Sequence, residues 1–238
     1  MRKLALFVEG QTEQLFVERL IQEIAGAHRV HMTVRQGSGG AKSPRQFVII
    51  TDAAPPAAQY YVLINNCGTD NRVLSDIRDQ YETMATRGGY HKIVGLRDVY
   101  PLDAGTVRAR IAPLLPTGPV PTSLHLAIAE IEAWFLAEET HYLRVDPVLT
   151  VDKVEGLLGK PVIAIDVEAE LHPSDTLKRI YQLAAKTYSK DRSHTQRTIF
   201  ALDIANLYLA VSLRVPALAH FCQELDAFFA PGTTSTAR

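Results

Sequence analysis

Short apolar runs alternate with amphipathic helical patterns along this chain, and this alternation constrains its fold most. KLALFV at residues 3–8 precedes a pattern with apolar positions at every third or fourth residue, which ends at Gly26. YYVLINN at 60–66 opens a second such unit, and HKIVGLRDVYP at 91–101 contains a third strand. Residues 124–139 begin as a fourth strand and continue as a helix. The alternation predicts an α/β fold, with a mostly parallel sheet flanked by helices.

A glycine-rich segment interrupts this pattern. VHMTVR at 30–35 predicts an edge strand, and residues 36–45 lack periodicity, so we expect a mobile loop there. GSGGAKS is not a nucleotide-binding P-loop, because Ala41 stands where that motif needs glycine and a proline follows closely. Two interpretations stay open: a loop whose Lys42 and Arg45 contact a phosphate backbone, or a plain surface loop.

The pattern changes near residue 145. Residues 1–145 are predicted to form the α/β domain and residues 146–230 a helical C-terminal extension packed on it. Within the extension we expect helices at 176–192 and 198–229, the second broken by a proline. Residues 231–238 have the composition of a disordered tail.

Composition limits the possible functions. The net charge is −1, so any affinity for nucleic acid must come from a local patch. The two cysteines are far apart and no CxxC pair exists, which excludes a zinc or thiol-exchange site and favours a cytoplasmic location. The apolar stretches are too short for a signal-peptide core or a membrane span, so we expect no membrane association. The oligomeric state is not indicated.

Acidic residues stand at the ends of three predicted strands. Glu9 closes the first strand and Glu13 lies one helical turn later; Asp98 closes the third, and Glu130 and Glu132 follow the fourth. Ligands of open α/β sheets bind beyond the carboxyl ends of the strands. Carboxylates that meet there would repel one another unless a cation neutralised them. Hard oxygen donors without a histidine–cysteine cluster point to Mg²⁺ or Mn²⁺.

Taken singly, most of these acids have a local explanation. Glu13 suits the first turn of a helix. Asp98 could pair with Arg97 or cap a turn, and Glu132 could be a solvated helix residue. Glu9 has no such local use, because it lies between apolar residues and a glycine. The joint placement of the acids is therefore the signal.

Basic residues concentrate between 177 and 197, where Asp191 is the single acid. This basic stretch contains Lys178, Arg179, Lys186, Lys190, Arg192 and Arg197. It predicts either a groove that draws phosphates toward the acids or a solvated helix face. Tyr181 and Tyr188 in the same stretch could stack on bases or belong to the core.

Three motifs carry a family resemblance: EGQTE, GLRDVYP and AEIEAWFLAE. They resemble those of Toprim-like bacterial proteins that are often encoded beside ATPases in phage-defence and mobile-element loci. The Toprim domain is shared by primases, topoisomerases and the overcoming-lysogenization-defect nucleases. The resemblance covers residues 3–140 well and the C-terminal helices only loosely.

The resemblance implies a Toprim-like, Rossmann-like sheet and a set of site residues. Metal ligands would be Glu9, Glu13, Asp98 and Glu132, with Glu9 and Asp98 catalytic. The lysine that stabilises transition-state charge would be Lys186 or Lys190; we take Lys186 as the catalytic candidate. Nucleic-acid contacts are then assigned to Lys42, Arg45, Lys178, Arg179, Lys190, Arg192 and Arg197.

One position departs from the family pattern, which has an Asp-x-Asp pair after the third strand. Tyr100 occupies the second position here, and Asp103 is the nearest substitute. The resemblance implies a Mg²⁺- or Mn²⁺-dependent nuclease, the effector of a bacterial defence system with an ATPase partner. The missing aspartate favours the alternative, a non-catalytic subunit that binds an ATPase or nucleic acid. Whether DNA, tRNA or another RNA is the substrate stays open, as does the trigger.

Overall fold

The computed structural model describes residues 1–40, 43–100 and 102–230, and within these ranges it contains six strands and ten α-helices. The strands are β1 (Arg2–Val8), β2 (Val30–Gly40), β3 (Ser43–Ala53), β4 (Tyr60–Asn66), β5 (Lys92–Asp98) and β6 (Thr122–Ala127). The helices are α1 (Gln11–Ala25), α2 (Asp70–Thr83), α3 (Ala104–Ile111), α4 (Glu132–Ala137), α5 (His141–Val145), α6 (Val151–Leu158), α7 (Pro173–Gln182), α8 (Arg192–Ala201), α9 (Ile204–Leu209) and α10 (Pro216–Phe229). Lys42 and the predicted tail at 231–238 lie outside the described residues.

The six strands form one sheet in the order β3-β2-β4-β1-β5-β6. All neighbouring pairs are parallel except β2 and β3, which are antiparallel. Helices cover both faces, so the predicted α/β fold with a mostly parallel sheet flanked by helices is confirmed. None of the described helices has the length and apolar character needed to cross a membrane.

The central strand β1 is buried on both faces, which explains its uninterrupted apolar sequence. Leu4, Leu6 and Val8 face one side of the sheet and pack in a core formed with α1 and the C-terminal helices. Ala5 and Phe7 face the other side and pack against α2. Successive residues of a strand point to opposite faces, so each apolar residue of KLALFV fills one core or the other.

Residues 36–40 and 43–45 do not form the mobile loop predicted for this segment. Most of this segment extends β2 to Gly40 and begins β3 at Ser43, and the two strands pair antiparallel. The strand predicted at 30–35 is therefore internal, and β3 forms the edge of the sheet. The glycine-rich half of β2 lacks the alternation of a strand, and its extended structure comes from antiparallel pairing with the first half of β3, where Gly37 lies opposite Phe47 and Ser38 opposite Gln46.

The C-terminal helices pack on the same face of the sheet as α1. Helix α1 contacts α8, α9 and α10, and α10 also contacts β6. The helix predicted at 176–192 is wrong: α7 ends at Gln182, and Ala185 takes a left-handed conformation with φ of 53°. A new helix starts only at Arg192, where the Asp191 carboxylate accepts a hydrogen bond from the His194 N–H.

The connections between strands diverge at the carboxyl ends of β1 and β5. Helix α1 covers one face of the sheet, whereas α2 and α3 cover the other. From β1 the chain runs to β2, toward one edge of the sheet, whereas from β5 it runs to β6, at the opposite edge. Such a switch point is where open α/β sheets bind ligands.

Candidate active site

Glu9 and Glu13 stand at the junction of β1 and α1. Glu9 Oε2 accepts a hydrogen bond of 3.0 Å from the main-chain N–H of Asp98, which links the end of β1 to the end of β5. Glu13 Oε2 accepts one of 2.9 Å from the Gly10 N–H and so satisfies a main-chain donor at the start of α1. Glu13 is buried, with 4% of its surface exposed.

The loop between β6 and α4 aims two more carboxylates at Asp98. The Ile131 N–H donates to Asp98 Oδ1 at 2.9 Å. Ala129 adopts φ of 58°, a conformation that residues with a side chain rarely take, and its carbonyl oxygen accepts from the Tyr100 N–H at 2.9 Å. Through these contacts the loop brings Glu130 and Glu132 to the end of β5.

Asp98, Glu130 and Glu132 form what we call the acidic triad. One carboxylate oxygen of each lies within 4.8 Å of the corresponding oxygens of the other two. Asp98 and Glu132 are buried and Glu130 is half-buried. Distances of this order let one cation contact all three side chains after small rotations, because Mg²⁺ and Ca²⁺ bind oxygen at roughly 2.0–2.6 Å.

Neighbouring residues hold two triad members in place. The Ser174 N–H, in the first turn of α7, donates to Glu130 Oε2 at 3.0 Å. The Tyr188 hydroxyl donates to Glu132 Oε1 at 2.7 Å. The second oxygen of Glu132, Oε2, is buried without a hydrogen-bond partner among the described residues. Buried carboxylate oxygens normally accept a hydrogen bond, whereas the positive charge nearest this one is the Lys190 ammonium, at 3.7 Å.

Lys190 supplies a positive charge to the triad. Its Nζ lies 3.1 Å from Glu130 Oε1, 3.6 Å from Asp98 Oδ2 and 3.7 Å from Glu132 Oε2. One ammonium therefore faces three carboxylates. The Lys190 side chain is 48% exposed, so its ammonium can move away from the triad without disturbing the core.

The pKa values of the buried acids reflect this crowding. Burial, followed by the charges of Glu132 and Glu9, raises the pKa of Glu13 to about 7. Burial and the neighbouring carboxylates, chiefly Glu13 and Glu132, raise the pKa of Asp98 well above its usual range. Burial also raises the pKa of Glu132, and its effect exceeds that of the Lys190 charge. The fold thus disfavours negative charge at the acids that it gathers.

Glu130 behaves differently from these buried acids. Burial alone would raise the pKa of Glu130, but the contacts from Ser174 and Lys190 outweigh it and lower that pKa. Glu130 is therefore ionised in the absence of any bound cation. It is the triad member best able to attract a cation or to retain Lys190.

The raised pKa of Glu13 predicts that the metal-free protein loses stability as pH rises. Its ordinary value is 4.5, so between about pH 4.5 and 7 the folded state binds more protons than the unfolded state. The free energy of unfolding should fall across that window, by an amount on the order of 1–3 kcal/mol. We expect Glu13→Gln to remove this component, because the amide does not titrate. Urea unfolding in EDTA at a series of pH values measures it.

Comparison of the Glu13→Gln and wild-type pH profiles isolates Glu13 from other titrating groups. Glu23→Gln, on the exposed side of α1, is the matched control and should keep the wild-type profile. If Glu13→Gln followed the wild-type pH dependence, folding would not raise the pKa of Glu13 above its ordinary value.

The structure places the predicted metal ligands in two groups. Asp98 and Glu132 belong to the triad. Glu9 and Glu13 border it, and each accepts a hydrogen bond from a main-chain N–H group. Glu130 completes the triad, although the resemblance does not place it among the ligands. The signal that could identify Glu130 from the sequence is its position two residues before Glu132. Glu130 precedes α4 and Glu132 begins it, so both carboxylates can point to the same side.

Lys190, rather than Lys186, is the lysine at the acids. Lys186 Nζ lies 3.6 Å from Asp146 Oδ2, so the structure does not place our catalytic candidate in the triad. The two lysines stand on opposite sides of Tyr188 in a segment that is not helical. A helical interpretation of this segment could not tell them apart.

Arg45 has a structural role that excludes the mobile-loop interpretation. Its Nε donates to Asp76 Oδ1 at 2.9 Å, and its second nitrogen pairs with the other Asp76 oxygen and donates to the Cys67 carbonyl oxygen at 2.7 Å. Asp76 is 1% exposed. The guanidinium is thus committed to a buried carboxylate and is not presented to a phosphate backbone.

Other members of the basic stretch spread over the surface. Lys178, Arg179 and Arg192 are exposed, and Arg179 lines a separate cavity of about 250 Å³ between α4, α6 and α7. The Arg197 guanidinium donates to the Thr187 carbonyl oxygen and lies 5.7 Å from the Tyr181 ring centroid. Of the described basic residues in this stretch, Lys190 is the one that contacts the triad. The described residues of the stretch therefore do not form a continuous basic groove that ends at the triad.

The two tyrosines of the basic stretch are core residues. Tyr181 is 0% exposed and Tyr188 is 3% exposed, and their rings contact each other. Tyr181 donates its hydroxyl hydrogen to Thr198 Oγ1. Neither ring can stack on a base, so the core interpretation is the correct one.

The residues that replace the second aspartate of the family pattern supply no further acid to the triad. Tyr100 is 46% exposed and its ring contacts that of His172. Asp103 Oδ1 accepts a hydrogen bond of 2.8 Å from the Thr106 N–H and caps α3. This hydrogen bond lowers the pKa of Asp103, as expected for a capping carboxylate.

Comparisons of the chain with protein-family models, curated proteins and solved structures gave no match. The case for a function therefore rests on the geometry of the triad and on the motifs.

Proposed function

We propose that the protein is a metal-dependent nuclease that cleaves phosphodiester bonds in DNA or RNA. The observation that carries this proposal is the acidic triad: three carboxylates from the ends of two neighbouring strands with oxygens within 4.8 Å of one another. Holding such groups together has an electrostatic cost, which a divalent cation would offset. The position of the triad at a switch point of the sheet also supports a ligand site.

The donors of the triad fit a hard divalent cation. All three are carboxylates, and Glu132 Oε2 is a buried oxygen without a hydrogen-bond partner among the described residues. Oxygen donors of this kind suit Mg²⁺ and Mn²⁺ better than softer metals. When bound, such an ion activates water and stabilises charge that develops on phosphate oxygens.

The protein's own residues have distinct roles in this proposal. Asp98, Glu130 and Glu132 would hold the cation. Glu9 positions Asp98 through its main chain, since its carboxylate accepts the Asp98 N–H. Lys190, rather than Lys186, would stabilise transition-state charge, because its ammonium is half-exposed and could turn from the carboxylates to a phosphate oxygen.

The non-catalytic alternative has a specific observation in its favour. The Lys190 ammonium lies within 3.7 Å of all three triad members, where a cation would otherwise compensate them. Tyr100 and Asp103 add no acid there. In this alternative Lys190 is a permanent occupant, and the protein is a Toprim-fold subunit that binds an ATPase or nucleic acid. The motif resemblance supports a role in bacterial defence beside an ATPase under either proposal.

Replacing Glu9 by glutamine should separate these two functions. Glutamine keeps the volume and the carbonyl oxygen that accepts the Asp98 N–H, and it removes one charge beside the triad. We expect Mn²⁺-dependent cleavage to fall about 10- to 100-fold, as for residues that orient metal ligands, while the protein stays folded. The assay measures cleavage of single-stranded DNA, duplex DNA and bulk tRNA, with thermal unfolding in EDTA as the folding control.

One result would count against the nuclease, and another would count against the role of Glu9 alone. Wild-type protein that cleaves none of the three substrates, with or without a neighbouring ATPase, would favour the non-catalytic subunit. Wild-type cleavage that Glu9→Gln leaves unchanged would remove Glu9 from the site without removing the activity. Glu18→Gln, a substitution on α1 away from the strand end, serves as the matched control.

A further inference from the structure

An exposed aromatic residue lies close in the chain to Asp98 of the acidic triad. Tyr100 lies two residues after Asp98, and its main-chain N–H donates to the Ala129 carbonyl oxygen at 2.9 Å. The same loop carries Glu130. The main chain of Tyr100 is therefore fixed relative to two triad members, whereas its side chain is 46% exposed.

A second ring, that of His172, contacts the Tyr100 ring. His172 is exposed and precedes α7, two residues before Ser174, whose N–H binds Glu130. The rings of Tyr100 and His172 contact edge to face, with centroids 5.1 Å apart and planes inclined at 69°. We call these two residues the aromatic pair. Both members lie close to Glu130 along the main chain. Tyr100 is hydrogen-bonded to Ala129, which precedes Glu130, and His172 lies two residues before Ser174, which binds Glu130.

Two exposed leucines lie near the aromatic pair in the sequence. Leu102 is 46% exposed and Leu171 is 70% exposed. The exposed tyrosine and histidine rings have no evident role in the core. Exposed rings close in the chain to carboxylates that would hold a cation are suited to contact the flat face of a base.

We infer that the aromatic pair stacks on an unpaired base next to the scissile phosphate, and that the substrate is single-stranded nucleic acid. This inference rests on the proposed nuclease function and names its substrate class. Base–aromatic stacking needs an exposed base face, which an intact duplex does not offer. Stacking tolerates any base, so the pair selects for strandedness rather than sequence.

Electrostatic considerations support the same substrate class. Duplex binding depends on several lysines and arginines that neutralise phosphates along both strands. The net charge here is −1, and the guanidinium groups of Arg45 and Arg197 are engaged by protein acceptors. Lys178, Arg179 and Arg192 are exposed but spread over the surface, so no continuous basic groove ends at the triad, and stacking on Tyr100 would add a contact that does not depend on charge.

The test measures binding in Ca²⁺, so that it does not depend on turnover. The probes are a fluorescein-labelled oligothymidylate and a hairpin duplex of equal length, read by anisotropy. We expect the wild type to prefer the single strand, and Tyr100→Leu to weaken that binding roughly 10-fold or more, as for loss of one stacked base. Tyr100→Phe keeps the ring and should retain binding. Phe200→Leu, which alters an exposed ring on α8 that lies near Arg19, is the matched control.

A spectroscopic readout separates stacking from a purely structural role. An oligonucleotide with a terminal 2-aminopurine should lose fluorescence on binding to the wild type and to Tyr100→Phe, because stacking quenches this base. The quenching should be absent with Tyr100→Leu at saturating protein. His172→Ala should reduce it, and thermal unfolding confirms that each variant is folded.

The outcomes distinguish this inference from the proposed function. If the wild type binds and cleaves nucleic acid but Tyr100→Leu keeps wild-type affinity and quenching, the stacking inference is overturned and the nuclease stands. Tighter wild-type binding to the hairpin would overturn it as well. If the wild type binds neither probe and cleaves nothing in Mn²⁺, the nuclease proposal fails first, and the substrate class fails with it.

Discussion

Replacing Asp98 by asparagine is expected to abolish divalent-cation binding and to reduce Mn²⁺-dependent cleavage by at least about 100-fold. The change removes one ligand charge and keeps the oxygen that accepts the Ile131 N–H, so the loop carrying Glu130 and Glu132 stays in place. Stability in EDTA should not fall. Burial and nearby carboxylates raise the pKa of Asp98, which means that the fold disfavours its charged form.

Asp103→Asn is the matched control for this substitution. Asp103 is the nearest acid to the position left vacant by the family pattern, but it is exposed and caps α3. Asparagine caps helices about as well as aspartate, so stability and cleavage should both stay close to wild type. Isothermal titration with Mn²⁺ and the cleavage assay measure the pair. Loss of cation binding in Asp103→Asn, or its retention in Asp98→Asn, would place the metal elsewhere.

Asp76→Ala is expected to destabilise the protein by about 3 kcal/mol, the lower end of the range for breaking a buried ion pair. Asp76 is 1% exposed and binds two nitrogens of the Arg45 guanidinium. Without the carboxylate, the Arg45 charge stays in a largely buried site, where its remaining contacts include the main-chain carbonyl oxygens of Cys67 and Gly39 but no negative charge from Asp76. Residual contact of Arg45 with solvent keeps the loss from being larger.

Urea unfolding measures this prediction. Asp79→Ala, an exposed aspartate on the same helix, should change stability by no more than about 0.5 kcal/mol. The double variant Arg45→Met with Asp76→Leu should recover most of the loss, because it removes both charges and keeps apolar volume. If Asp76→Ala unfolded at the wild-type urea concentration, Arg45 would be free to serve another role, such as a phosphate contact.

The sequence predicts the parallel part of the sheet because its strands are buried on both faces. Every residue from Leu4 to Val8 is buried against apolar neighbours, whichever face of the sheet it points to. The result is an uninterrupted apolar run that can be recognised in the sequence. The same holds for β4 and β5. The acids at the ends of β1 and β5 could be placed together because parallel strands end at one edge of the sheet.

The edge of the sheet was not predictable in the same way. β3 is largely exposed and its alternation is broken by a register shift against β2 between Val34 and Arg35. Arg45 in this strand pairs with Asp76 on α2, about 30 residues away in the chain. No local pattern indicates such a contact, because it depends on how α2 packs against the sheet.

The composition of the triad depends on loop geometry that the sequence does not display. Glu130 points at Asp98 because Ala129 takes a left-handed conformation, which alanine does not signal. Lys190 reaches the triad because the chain leaves the helix after Gln182. A continuous helix through this segment would have placed Lys186 and Lys190 one turn apart on a single face.

A crystal structure of the wild-type protein grown with Mn²⁺ tests the central claim most directly. Data collected at a wavelength where manganese scatters anomalously should show one peak among the carboxylates of Asp98, Glu130 and Glu132. We expect oxygen–metal distances near 2.2 Å, as in carboxylate sites of similar hard cations, and the Lys190 ammonium displaced toward solvent. Absence of an anomalous peak, with Lys190 still paired to the three carboxylates, would contradict the metal site and favour the non-catalytic subunit.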